Sequence, residues 1–236
     1  MSPDGLVHAH EEVAGLLSHR FFAKTPPKVE TRFHDDPPQC PPHRLPQIDK
    51  ELIGSLLMAT MTKSAPGQSG HTWLLLKWAW EADADHIVEL MSACLKAGHH
   101  PHSWKEAVVC VIPKLGRADY SLAKNFCPIS LLECLGKLLE KVVAHLIYRD
   151  MDKYLLVPTL QFSGCNASST VDAGLTLLHD IQSTHQVGLY TGLLLFDIQG
   201  FFDNVNHKRL VQMLSDLGFP PEIVGWCHSL VLPRLG

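Results

Sequence analysis

The sequence predicts a mixed α/β fold of the α+β kind, rich in helix and sparing in sheet. Three observations predict it. Apolar residues recur at helical spacing in several separate stretches, each opened or closed by a residue suited to a helix end. Two short runs, AVVCVI at 107–112 and LLLFDI at 193–198, are instead continuous and β-rich. Finally, 236 residues with 46% hydrophobic content are enough to bury a real core, as one large domain or two small ones.

In chain order, residues 1–47 hold half of the 16 prolines and show no sustained period, so they are expected to be a linker or remnant with little order. Ile53, Leu56, Leu57 and Met61 then share a helical face, with Asp49 suited to the cap. SAPGQSG, Ser64 to Gly70, is a loop by composition. Trp73, Trp78 and Trp80, beside Leu74 to Leu76, read as core in preference to base-stacking platforms. Ile87, Leu90, Met91, Cys94 and Leu95 predict a second helix, ended by Gly98.

AVVCVI predicts a strand running into a loop that carries Lys114. Ser130-Leu-Leu-Glu133 has the letters of a capping box, opening a long amphipathic helix through Leu135, Leu139, Val142, Val143, Leu146 and Ile147. Ser169-Thr-Val-Asp172 repeats the device before Leu175, Leu178 and Ile181. LLLFDI, bounded by Gly192 and Gly200, predicts a strand buried on both faces. Leu210, Leu214 and Leu217 mark a helix stopped by Gly218, and Pro220-Pro221-Glu222 starts the last one.

The formal net charge of −4 argues against a strongly basic, wrapping nucleic-acid binder, although 101–153, with eight basic against six acidic residues, is net basic. The seven cysteines are odd in number and scattered, as free thiols of a reducing compartment are. No apolar run approaches the roughly 20 residues of a membrane span, and MSPDGLVHAHEE is not a signal peptide. An intracellular chain, nuclear or cytoplasmic and without a membrane partner, is therefore expected. Cys40-Pro-Pro-His43 is the best pair for zinc, but its nearest partners, Cys94 with His99 or His100, lie far along the chain, unlike a compact zinc module. No Ser-His-Asp order, P-loop or GxGxxG occurs.

The sharpest chemical signal is LLLFDIQGFFDNVNH, Leu193 to His207. A carboxylate interrupting a run buried on both faces is costly unless something neutralises it, and a hard cation such as Mg²⁺ does so. The competing reading is a strand that has already surfaced at Asp197, where Asp commonly begins a turn. Taken in order, HSWKEAVVCVIPKLGRADYSLAKNFCPISLLECLGKLLEK, LVPTLQFSGCNASSTVDA and LLLFDIQGFFDNVNH resemble the first half of the reverse transcriptase domain of non-LTR (LINE-type) retrotransposons. The likeness runs from about Ile48 through the SAPG loop to the chain end.

The resemblance implies a partial right-hand polymerase fold: helix-rich fingers over about 48–190 and the start of an incomplete palm sheet over about 191–236. It makes Asp197 the first catalytic aspartate and the holder of two Mg²⁺ ions, one lowering the pKa of a primer 3'-hydroxyl and the other steadying pyrophosphate. The Ile198 carbonyl becomes a further metal ligand, and Phe202 the ring beneath the incoming sugar that excludes a 2'-hydroxyl. Backbone N–H groups around Gly200 and Phe201 are implied to cradle the triphosphate, with Lys114 reaching the nucleotide phosphates. Asp203 falls outside the implied metal site and reads as a turn or helix-entry residue. RNA template, DNA primer and dNTP are the implied partners.

The chain also departs from the family. The aromatic-x-Asp-Asp hairpin that brings the other carboxylates falls beyond Gly236, so the chain is expected to be truncated and inactive alone. Phe33-His-Asp-Asp36 imitates it in letters but is followed by Pro37-Pro38, which suits no hairpin strand. Cys127 stands where the family has an arginine before Pro-Ile-Ser, and supplies neither charge nor fork. Cys165 and Asn166 depart from a Gly/Arg-rich segment, and Phe201 is bulkier than usual. The alternative reading is a catalytically dead, nucleic-acid-binding or non-functional remnant.

Overall fold

The computed structural model describes residues 40–117, 119, 120, 122–165, 167–198, 201, 202 and 204–231, with Gly15 in addition. They form six α-helices and one two-stranded antiparallel sheet, the mixed α/β class expected. The chain divides into two compact units, one containing 48–139 and the other 37–47 with 140–236. Phe33 to Asp36, Asn166, Gly200 and Asp203 lie outside the described residues, as does most of the 1–47 stretch.

In the first unit, α1 (Lys50–Met58) starts where Asp49 accepts a hydrogen bond from the Leu52 N–H at 2.8 Å. Ile53 and Leu57 are fully buried, but Met61 is exposed, since the helix has already ended. Lys77 closes that end from outside: its Nζ donates to the carbonyls of Met58 and Thr60 at 3.0 and 2.8 Å. Gly54 lets the Trp80 indole approach, because a Cβ there would sit 3.0 Å from Cζ2.

Helix α2 (Trp73–Lys96) contains the expected 87–95 segment as its second half. Its first half was not expected. The two are separated by Asp83, whose backbone leaves helical geometry (φ −156, ψ 80) and whose carboxylate accepts from the His86 N–H at 3.1 Å and contacts His86 Nδ1 at 2.6 Å. Asp83 is thus the cap of the second half, and the His86 N–H bond holds its carboxyl below the usual range against the opposing effect of desolvation. Trp73 is buried and Trp80 half-buried, as core residues should be, whereas Trp78 is 58% exposed.

Strand β1 (Val108–Pro113) is where AVVCVI placed it, and pairs antiparallel with β2 (Phe126–Leu131), from Val108↔Leu131 to Pro113↔Phe126. Pro128 masked β2 in the sequence. In a two-stranded ribbon each strand is an edge, so a proline with no N–H to donate is tolerated. The same strand overturns the first capping box. Ser130 is a ladder residue opposite Val109, not a cap. Glu133 instead reaches back to the SAPGQSG loop, where its carboxylate accepts from the Ser69 N–H at 2.8 Å and from the Ser69 hydroxyl. Gly67 permits the approach, since a Cβ would meet the Glu133 N at 2.7 Å. Burial alone would raise the Glu133 carboxyl, but the Ser69 hydrogen bonds prevail and hold it below 4.5.

Helix α3 (Cys134–Lys153) carries the expected stripe, with Leu138, Leu139, Val142, Val143 and Leu146 buried. In the second unit, α4 (Thr170–Gln186) opens with the expected capping box: Ser169 accepts from the Asp172 N–H and Asp172 from the Ser169 N–H. Helices α5 (His207–Asp216) and α6 (Pro221–Val231) pack together around Phe219, Ile223, Trp226 and Cys227, with Gly218 at the joint in a left-handed conformation (φ +82).

Residues 40–47 have no regular structure but are not free of the fold. His43 is buried, its ring stacked on Tyr154 at 3.9 Å and edge-on to Phe219 at 5.0 Å. Its N–H donates to the Gly218 carbonyl at 2.7 Å. Its Nδ1 lies 3.3 Å from the Asp150 carboxylate, which also accepts from Arg149 at 2.8 Å. The linker expected up to residue 47 is thus tied down from His43.

Two outcomes follow. His43→Ala leaves Asp150 buried and opens the space between two rings, so urea denaturation should show a loss of about 3 kcal/mol; an unchanged midpoint contradicts the anchor. For Glu133, the folded carboxyl is depressed, so its stabilisation is present above the unfolded pKa near 4.5 and lost as pH falls through the lower folded value. Between pH 6 and 3 the parent should lose more stability than Glu133→Gln.

Candidate functional site

The stretch singled out by its polarity does not form the expected strand. Leu193 to Ile198 has no regular structure, and its side chains lie in solvent: Phe196 is 86% exposed, and Asp197 is exposed with it. The physical reason is hydrogen bonding. A strand buried on both faces needs a ladder neighbour to satisfy its N–H and C=O groups, and the only sheet among the described residues consists of β1 and β2 paired with each other. Water therefore solvates both the backbone and the Asp197 carboxylate. The neutralising cation that burial would have required is not required here.

Phe201 and Phe202 follow as an edge-to-face pair, centroids 5.4 Å apart, with Phe202 85% exposed. The Phe202 carbonyl accepts from the Val205 N–H at 3.4 Å, a turn that leads into α5. Asn206 caps that helix by accepting from the Arg209 N–H at 3.0 Å. The sequence placed Asp203 in this turn, but Asp203 and Gly200 are outside the described residues.

Lys114 belongs to the first unit, in the loop that joins β1 to β2. Its N–H donates to the Asn125 carbonyl at 2.8 Å, continuing the ladder, and its carbonyl accepts from the Tyr120 hydroxyl at 2.9 Å. Its Nζ donates to the Lys124 carbonyl at 2.9 Å. An ammonium has three donors, so two stay available for a phosphate. Gly116, at φ +74, makes the turn that leaves Leu115 at the tip. Arg117 and Lys124 share this loop, whereas Cys127 lies in β2 opposite Ile112 and is exposed.

For a hard cation the donors of the Asp197 segment are right in kind, a carboxylate with the adjacent Ile198 carbonyl. They are insufficient in number: no group of three or more His, Cys, Asp or Glu is gathered among the described residues. One carboxylate offsets little of the charge of two divalent ions. Of the zinc candidates, His43 is committed to Asp150 and Tyr154. The Cys94 thiol is pushed up by burial. No helix is long and apolar enough to cross a membrane among the described residues. Sequence reasoning missed the Glu133 grip on Ser69. Its signal was the pairing of a glycine-rich loop with an acid at the start of a long helix.

Comparison with known proteins adds a separate line of observation. Residues 112–235 match the family described as reverse transcriptase (RNA-dependent DNA polymerase). The chain is 27% identical over 218 residues to a probable RNA-directed DNA polymerase from transposon BS of Drosophila melanogaster, covering 92% of this chain and 24% of that protein. It is 26% identical over 181 residues to the transposon TX1 uncharacterized 149 kDa protein of Xenopus laevis, covering 76% of this chain and 13% of that one. An RNA-directed DNA polymerase from mobile element jockey of Drosophila melanogaster is 24% identical over 179 residues, covering 76% of this chain and 19% of that protein. The chain therefore spans a quarter or less of the length of each of these three relatives.

Proposed function

The chain belongs to the reverse transcriptase family, on the branch of the non-LTR retrotransposons, and from that premise we propose that it is the fingers and early palm of an RNA-directed DNA polymerase. Fingers would occupy about 48–190 and the palm would begin near 191. One observation carries the reading: the family match, residues 112–235, spans both the Lys114 loop and LLLFDIQGFFDNVNH.

In this reading Asp197 and the Ile198 carbonyl offer one part of a metal site, for Mg²⁺ in a metal-dependent family. Two such ions, held there together with further carboxylates, would supply a lowered pKa at a primer 3'-hydroxyl and stabilisation of the leaving pyrophosphate. The chain's own residues supply the rest of the local chemistry. Lys114 sets a cation for the nucleotide phosphates in a loop fixed by three hydrogen bonds. The backbone around Gly200 and Phe201 offers N–H groups to the triphosphate, and the Phe202 ring is the flat surface that rejects a 2'-hydroxyl. The exposure of Leu193 to Ile198 supports an early palm that is completed by further strands, because five apolar side chains in water are a strand without its neighbours. RNA template, DNA primer and dNTP are the proposed partners.

A second reading, a catalytically dead nucleic-acid-binding remnant, is favoured by one specific observation. Cys127 lies exposed on the ribbon, where the family's guanidinium would offer a phosphate a charge and a fork.

Primer extension on an RNA template separates the two. The 236-residue chain alone should extend no primer with Mg²⁺ or Mn²⁺. Given the aromatic-x-Asp-Asp hairpin in the same chain it should incorporate dNTPs, with Asp197→Asn lowering the rate by roughly 10²–10³. Absence of extension in that longer chain supports the remnant. Nucleic-acid binding, if it runs through the net-basic 101–153 stretch, should weaken linearly on a log–log salt plot. Lys114→Ala should lower the slope by about one unit, and a flat response removes the electrostatic groove.

A further inference from the structure

The β1–β2 ribbon carries two thiols whose placement the polymerase reading does not use. Cys110 pairs with Ile129, and Ile112 with Cys127, in a register that runs unbroken from Val108↔Leu131 to Pro113↔Phe126. Directly opposed residues share a face, and so do residues two apart on one strand. Cys110, Ile112, Cys127 and Ile129 therefore lie on one face, with the two cysteines diagonal to each other. Both are exposed and free, whereas Cys94, Cys134 and Cys227 are buried.

Distance then selects the chemistry. Diagonal neighbours on a ribbon stand about 7–8 Å apart, with their Cβ atoms somewhat closer. A disulfide wants Cβ atoms about 3.8 Å apart, so direct bonding of Cys110 to Cys127 would distort the ladder. A single bridging ion, with two metal–sulfur bonds of roughly 2.3 Å, fills the gap without moving either strand. Coordination number narrows the ion further. Tetrahedral zinc needs four ligands, and no group of three or more His, Cys, Asp or Glu gathers among the described residues. The remaining class is a soft cation content with two thiolates, as Cu(I) is.

We propose that Cys110 and Cys127 form a two-coordinate site for a soft, thiophilic monovalent cation of the Cu(I) class. Each thiol loses its S–H proton as its sulfur bonds the ion, so one ion displaces two protons and no oxidation state changes. The bound ion links β1 to β2 across the face that these cysteines share with Ile112 and Ile129.

Anaerobic titration of the full chain with Cu(I), supplied as its acetonitrile complex, tests this. One equivalent should protect two thiols from a fast thiol reagent, and affinity should fall about a hundredfold per unit of pH below the thiol range, as release of two protons requires. Cys110→Ser and Cys127→Ser should each weaken binding by at least about tenfold, while Cys40→Ser/Cys165→Ser binds as the parent does. Serine replaces an exposed thiol here, and unchanged helical circular dichroism verifies folding. Parental affinity in either ribbon variant, loss of binding in Cys40→Ser/Cys165→Ser, or release of one proton per ion overturns the site.

Discussion

A backbone N–H or C=O taken from water must find a partner inside the protein, and that requirement orders this chain more than any single side chain. AVVCVI becomes a strand because FCPISL lies antiparallel to it. LLLFDI is apolar at five of its six positions, yet it stays irregular and exposed, because no described strand pairs with it. Hydrophobicity names the segment that wants burial, and the ladder decides whether burial happens. Asp197 inherits its surroundings from that outcome. A carboxylate at the end of an unpaired segment is a solvated anion, while the same carboxylate in a completed sheet is a desolvated one that calls for a cation.

The acids elsewhere in the fold show what structural carboxylates look like. Asp49 and Asp83 each hold an N–H at the start of a helix, and Asp172 completes a capping box. Glu133 grips Ser69 across a sequence separation of 64, and Asp150 sits buried between His43 and Arg149. Each is spent on a donor within the fold. No hydrogen bond or ion pair engages Asp197 among the described residues, which leaves its lone pairs to water or to a metal.

Much of the helical skeleton was legible because its signals are local. Asp49, Ser169, Gly98 and Gly218 act within a turn or two of themselves, and the α3 stripe repeats often enough to be read without knowing its partners. The misreadings all have long-range causes. Ser130 and Glu133 have the spacing of a cap, but the ladder claimed Ser130 and a distant loop claimed Glu133. The first half of α2 was hidden by three tryptophans whose burial depends on what packs against them, and the outcome differs between Trp73 and Trp78. For the site, the letters around Asp197 identified the family. Their geometry was not in the letters, because a sheet is a property of several segments at once.

The same reasoning bears on Phe202. A ring selects against a 2'-hydroxyl only when it is held rigidly against the sugar, since steric rejection vanishes if the ring can yield. Here Phe202 is in solvent, and its one aromatic neighbour among the described residues is Phe201, edge-on at 5.4 Å. That contact contributes on the order of 1 kcal/mol, too little to immobilise a ring against a bound nucleotide. On the proposed function that rigidity would have to come from the segment that precedes it, so sugar selection and metal binding would depend on one event: pairing of Leu193 to Ile198 into a sheet would fix the Asp197 carboxylate and the Phe202 ring together. On that reading, neither property would be restored alone by changing its own side chain.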